Sequence, residues 1–160
     1  MTLSSSLVKS FKFCSISNPK FLKLGDTFKQ SRVFSFADLV DYSKVTLDLN
    51  PVHFDADCAR TAGFQDPVVH GMLIASLFPR IIASHFPGAV YLSQNLQFKQ
   101  PVYIGEEICG EVEAISMRDF KKKHLVKFST RCFKQDNILV LDGEAMAILP
   151  TLQLEQHVVI

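Results

Sequence analysis

Residues 68–86 read "VVHGMLIASLFPRIIASHF". From Met72 to Ala83 the run is apolar around the whole helical circumference, which describes a helix buried on all sides rather than one lying on a surface. The run is broken by Ser76, Pro79 and Arg80 and falls short of the roughly 20 apolar residues that cross a bilayer, so no membrane insertion is expected. Pro79 lacks the N–H that would bond the Ala75 carbonyl, and a kink is predicted beside it. A helix buried all round needs other elements to surround it, and the flanking sequence supplies them. Downstream, apolar alternation is sustained in "VYLSQNLQFKQPV" (90–102), "EICGEVEAISMRD" (107–119), "HLVKFSTRCFKQ" (124–135) and "NILVLDGEAMAIL" (137–149). The segments are separated by turns at "YIGEE", "DFKKK" and "QDN", and four such strands in series predict an antiparallel sheet.

Upstream, "LKLGDTFKQSRVF" (22–34) alternates enough to be a first strand. Ser35 with Asp38 three residues on marks the start of a helix, "FADLVDYSKVT", with Phe36, Leu39, Val40 and Tyr42 to Ser43 toward its buried side. Asp55 caps a second short helix, "ADCARTA", closed by Gly63. The resulting class is α+β: one domain in which a curled antiparallel sheet wraps a buried central helix.

Composition agrees with one well-packed domain. The 160 residues are 48% hydrophobic, with 14 Phe and no Trp, so the interior or a ligand tunnel should be rich in phenylalanine and aliphatic side chains. The balance of 17 basic and 16 acidic residues gives no reason to expect a nucleic-acid partner. Cys14, Cys58, Cys109 and Cys132 form no CxxC pair and read as isolated, reduced thiols.

The densest polar segment is "LDLNPVHFDAD", residues 47–57. Pro51 fixes its own φ and pushes Asn50 out of the helical region, so that Asp48 and His53 can be held toward one point. A carboxylate and an imidazole aimed together make an acid/base pair. The same spacing also fits an Asx turn whose polar groups cap a loop. Gly71 at the start of the central helix adds backbone N–H groups that an oxygen gaining negative charge would need. His70 beside it is read as a hydrogen-bonded structural histidine, and although His53 and Asp55 stand upstream, no metal-ligand spacing is present. No metal and no cofactor are expected. His85 and His124 are read as surface or helix-end residues, and "KKKH" (121–124) as a solvated hairpin tip that could meet an acidic carrier protein or a coenzyme A phosphate. Arg80 and Lys99 are further candidate contacts.

From about Leu24 to Pro150 the chain resembles the (R)-specific enoyl-thioester hydratases of the MaoC-like type, which have the hotdog fold. The resemblance rests on "DLNPVHFD" (48–55), "FQDPVVHGML" (64–73) and "YLSQNLQFKQPVYIGEEI" (91–108). It implies a homodimer of hotdog subunits, a tunnel for an acyl thioester on acyl carrier protein or coenzyme A, and reversible hydration of trans-2-enoyl to (R)-3-hydroxyacyl thioesters. It also assigns roles by position. Asp48 and His53 match the catalytic pair, Gly71 matches the oxyanion-hole amide, and Asn50 matches a residue that shapes the motif loop. Met72 and Ser76 are expected along the substrate, Ser76 as a small packing residue. The chain departs from the family at Leu47, where glycine is frequent, and at Pro79, where some relatives place a serine.

Residues 1–22 are serine-rich and lysine-bearing, and no acid precedes Asp26. This is how a mitochondrial transit peptide reads, with a disordered tail as the alternative. The expected organisation is thus a leader over 1–22, a hydratase domain over 23–152 and a tail over 153–160, located in the mitochondrial matrix. With that leader, the resemblance implies the dehydration step of organellar fatty-acid synthesis. The alternatives are an (R)-specific hydratase of β-oxidation and a non-catalytic acyl-binding protein. A hotdog thioesterase is disfavoured, because such an enzyme places a carboxylate on or next to the central helix and none occurs from Met72 to His85.

Overall fold

The computed structural model describes residues 22–150. The expected leader, apart from Leu22, and the expected C-terminal tail lie outside the described residues. Leu22 packs into the core.

Five strands form one antiparallel sheet: β1 (Thr27–Val33), β2 (Val90–Phe98), β3 (Glu107–Phe120), β4 (Lys123–Lys134) and β5 (Ile138–Leu149), in the order β1-β3-β4-β5-β2. Every neighbouring pair is antiparallel, and for β3–β4 and β4–β5 the short connections require it. Irregularities at Ala114/Ser116, Cys132/Phe133 and Tyr91/Ser93 add local twist and bend the long strands around what they cover. Gly143 in β5 allows β2 to approach closely: a Cβ there would lie 2.1 Å from the Asn95 carbonyl oxygen.

The helices follow from local signals. α1 (Phe36–Thr46) opens with a complete capping box: Ser35 Oγ accepts from Asp38 N–H, and Asp38 accepts from Ser35 N–H at 2.8 Å. The Ser35 N–H and Oγ–H, both donating to Asp38 Oδ2, hold the Asp38 carboxyl below the usual range more than nearby Arg32 does. α2 (Ala56–Thr61) is capped by Asp55, which accepts from Cys58 N–H at 2.8 Å. Leu39 and Ser43 are the buried face of α1, whereas Phe36, expected inside, is 54% exposed and meets the Phe54 ring edge-on.

The central helix is interrupted, as Pro79 predicts, and differs from expectation in its exposure. It is two helices, α3 (Gly71–Ala75) and α4 (Leu77–His85), with the break at Ser76. The cause is Pro79, which has no N–H to give the Ala75 carbonyl and whose ring crowds it. It is also not buried on every face. Leu77, Phe78, Ile81 and Ile82 pack on the sheet, each contributing about 1.5–3 kcal/mol of burial. Met72, Ser76, Arg80 and Ser84, four residues apart, form an exposed stripe of the single chain. Gly110 of β3 lets α4 settle close, since a Cβ there would sit 3.2–3.4 Å from Ile81 and Leu77.

His124 also departs from the reading as a surface residue. It points inward from β4 and is 8% exposed, with Nδ1 3.2 Å from Asp119 on the paired strand. Lys121, Lys122 and Lys123 do form the exposed β3–β4 hairpin tip.

Candidate active site

The site is assembled where α1 stops. Leu47 ends α1 in the left-handed region, φ 59°, donating its N–H to the Ser43 carbonyl at 2.8 Å. This conformation explains why glycine suits the position, and it costs leucine about 1 kcal/mol. Beyond it, Asp48 Oδ1 accepts from Asn50 N–H at 3.2 Å, and Asn50 Oδ1 accepts from Val52 N–H at 3.3 Å. Asn50 thereby caps the 3₁₀ turn Pro51–His53, whose first residue is the proline. The Asx turn and the convergence of Asp48 and His53 are therefore one structure, the first building the second.

His53 is anchored to a distant segment. Its Nδ1 lies 2.7 Å from the Val68 carbonyl, which can only accept, so Nδ1 carries the proton and neutral His53 keeps its lone pair on Nε2. Val68 N–H returns a bond to the Val52 carbonyl at 3.1 Å, and Val69 N–H bonds the Val102 carbonyl at 2.8 Å. The motif loop, the segment before α3 and the connection after β2 are thus tied together.

His70 lies behind His53, with ring centroids 3.7 Å apart and planes 23° from parallel. It is 2% exposed. Its Nε2 is 3.3 Å from the Asp48 carbonyl and 4.0 Å from the Asp48 carboxylate. Burial first, and His53 second, push His70 below the ordinary imidazole range; Asp48 opposes this only in part. Among the described residues its buried Nδ1 has no hydrogen-bond partner, so protonation would also strand a donor.

Asn50, His53 and Gly71 border a cavity of about 430 Å³, otherwise mostly apolar, with Phe64, Val69, Ile74, Phe98 and Val102 in its wall and Lys99 as its cation. Asp48 is not part of that wall, but a donor atom of its side chain lies within 4.8 Å of donor atoms of both His53 and His70, and its carboxylate is 49% exposed. Gly71 begins α3 under the Phe98 ring: a Cβ would come within 2.4 Å of Phe98 Cε1, so only glycine leaves the ring its place. Met72 and Ser76 do not border this cavity. Met72 is 57% exposed, and Ser76 donates to the Leu73 carbonyl at 2.6 Å and faces a second groove with Tyr42 and Arg80.

The cluster of Asp48, His53 and His70 has the donor types of a metal site. Two of its imidazole nitrogens are committed, however: His53 Nδ1 to Val68 and His70 Nε2 to Asp48. What remains facing outward is one imidazole nitrogen and one carboxylate, fewer donors than zinc takes. Asp55 is absent from the cluster because it caps α2. Neither Cys58 nor Cys132 is disposed to nucleophilic chemistry. Burial raises the Cys132 thiol to about 12, and a hydrogen bond to Asp55 raises Cys58.

Two contributors had no sequence signal sufficient to find them. The stacking of His70 depends on folding, although its place before Gly71 was visible. Phe98 is one aromatic residue in an alternating strand, and nothing local relates it to Gly71.

Comparison with known proteins fits this geometry. Residues 21–133 match the model of the family described as "MaoC like domain". A mitochondrial 3-hydroxyacyl-(acyl-carrier-protein) dehydratase of Solanum lycopersicum is 57% identical over 88% of this chain and 86% of its own length. The enzyme of the same name from Arabidopsis thaliana is 55% identical over 90% and 87%. Among solved structures, the (R)-hydratase from A. caviae involved in PHA biosynthesis superposes with a TM-score of 0.74 at 37% identity, covering 81% of this chain and 98% of that one. With residues 21–133 matched by the family's model and relatives above 50% identical over most of its length, the chain belongs to the MaoC-like family and has the hotdog fold.

Proposed function

We propose that the protein is a hydro-lyase that interconverts (R)-3-hydroxyacyl and trans-2-enoyl thioesters, acting as a 3-hydroxyacyl-(acyl-carrier-protein) dehydratase of mitochondrial fatty-acid synthesis. The observation that carries this reading is the convergence of two proton acceptors, His53 Nε2 and the Asp48 carboxylate, beside an apolar cavity that also contains Gly71. The named dehydratase relatives supply the substrate class, the carrier and the compartment.

The chemistry needs one proton to travel. In dehydration, a member of the pair takes the C2 proton, electrons move toward the thioester oxygen, and the proton returns through the pair to the hydroxyl leaving C3 as water. The pair begins and ends in the same protonation state, so no covalent intermediate and no cofactor is required. Gly71 N–H faces the thioester oxygen as it gains charge. Asn50 holds the loop, and the cavity wall takes the acyl chain.

The carrier fits the structure best near Lys99. The hairpin lysines lie beside the His124–Leu149 pair, eight residues along β5 from Leu141, which borders the cavity. At about 3.3 Å per residue this is roughly 26 Å. A second reading, the (R)-specific enoyl-CoA hydratase, is favoured by a relative of that name from Aeromonas caviae, 38% identical over 81% of the chain.

Incubating the purified chain with crotonyl and longer enoyl thioesters, on carrier protein and on coenzyme A, separates these readings. The expected result is an (R)-3-hydroxyacyl product with higher kcat/KM on the carrier protein. Preference for coenzyme A supports the second reading, and binding without turnover would leave a non-catalytic acyl-binding protein.

A further inference from the structure

We infer that His70 is a positioning residue that sets the distance between the Asp48–His53 pair and the Gly71 amide. The inference rests on the hydro-lyase reading above and assigns a role to a residue outside the proton-transfer pair. Three contacts support it. The backbone of His70 begins α3, its carbonyl accepting the first intrahelical bond from Ile74 N–H at 3.2 Å, immediately before Gly71. Its side chain reaches back across 22 positions to the Asp48 carbonyl at 3.3 Å. Its ring backs His53 at 3.7 Å.

One residue therefore joins the part of the site that moves the proton to the part that faces the thioester oxygen. A carbonyl oxygen offers no proton, so His70 must present Nε2–H to Asp48, and this fixes its tautomer. The price is Nδ1, buried and, among the described residues, without a partner. The groups facing the ring are Tyr42 from α1, 5.0 Å between centroids, Asp48 and His53 from the motif loop, and Phe54 at 5.7 Å. None of them replaces the N–H to the Asp48 carbonyl. Because alignment errors of about 1 Å cost up to 10²-fold in rate, loss of this tie should appear in turnover rather than in binding.

Two substitutions of matched length isolate the N–H. His70→Gln places an amide N–H where Nε2–H stands, and His70→Met fills the same space without a donor. His70→Met is expected to lower kcat by about 10- to 10²-fold with KM within about threefold. His70→Gln should keep a third or more of kcat. In an Asp48→Asn background, His70→Met should add less than about threefold, because a residue acting through Asp48 has little left to position. Equal activities for Gln and Met, or losses that multiply in the double variant, would overturn the inference.

Urea midpoints of both variants show whether folding differs. Should His70→Met not fold, ¹⁵N ring shifts of the wild-type protein decide, with an Nε2–H tautomer at His70 expected and an Nδ1–H tautomer refuting the assignment. A wild-type chain without turnover would remove the hydro-lyase reading and leave the tautomer test standing.

Discussion

Asp48 carries two duties on different atoms: its carboxylate closes a turn onto Asn50 and stands beside His53, while its carbonyl takes the His70 bond. Asp48→Asn keeps the turn acceptor and the carbonyl but removes the charge, so hydration followed by loss of enoyl absorbance should fall by about 10²-fold or more with the fold intact. His53→Ala should cost a similar factor, and the double variant little more than either, because the two hand on one proton. Activity near wild type in Asp48→Asn would sink the acid/base assignment. His70 adds a pH effect on stability. Its folded-state pKa is depressed, so the unfolded chain binds the proton more tightly. Its contribution is fully present above the ordinary value near 6.5 and is lost as pH falls below it. Urea midpoints between pH 7 and pH 5 should decline for the wild type and decline less for His70→Gln. The cap carboxylates Asp38 and Asp55, held low by their hydrogen bonds, lose their contribution only as pH falls below about 3.8, so a decline between pH 7 and pH 5 is not theirs. Asp48 and His53 were legible in the sequence because five adjoining positions and one proline aim them. The long-range partners of the site, Val68 at 15 positions and Asp48 at 22, were not, because local pattern says nothing about which loop returns to which.

At the scale of elements, alternation found all five strands because each is long and one-sided, and β3, β4 and β5 end within about two residues of the sequence boundaries. The capping box and the Asp55 cap set both early helices for the same reason: a cap is a local hydrogen bond. The central helix was legible as an element but not in its exposure. Its apolar content predicts burial, yet burial is decided by what lies opposite, and in the single chain the stripe from Met72 to Ser84 is exposed. Pro79 was read correctly as the cause of a kink, and the break at Ser76 allows a direct test. Pro79→Ala returns an N–H to the Ala75 carbonyl and should join α3 to α4, raising stability by about 1 kcal/mol in urea titration. A loss instead would show that packing of α3 under Phe98, rather than the proline, holds the break.

At the scale of the whole molecule, the single chain presents surfaces suited to a second copy. β2 pairs with β5 along one edge, and among the described residues no strand covers the other. An open edge of nine residues with Val90 and Leu92 exposed on it would template association unless a defined partner occupies it. Two antiparallel copies of one edge are self-complementary, which makes a twofold dimer the simplest occupant. Leu47 and Leu49, 78% and 68% exposed, flank Asp48, so the carboxylate sits on a surface that gains from being covered. The protein should therefore elute with the mass of two chains in size-exclusion chromatography with light scattering. Leu92→Lys should shift it toward one chain and lower kcat/KM, with activity partly regained as protein concentration rises. Phe120→Lys, which changes an exposed apolar residue at the end of β3 instead, should leave the mass unchanged. A wild-type monomer with full turnover would show that one chain completes the site, and the exposed leucines beside Asp48 would then need another account.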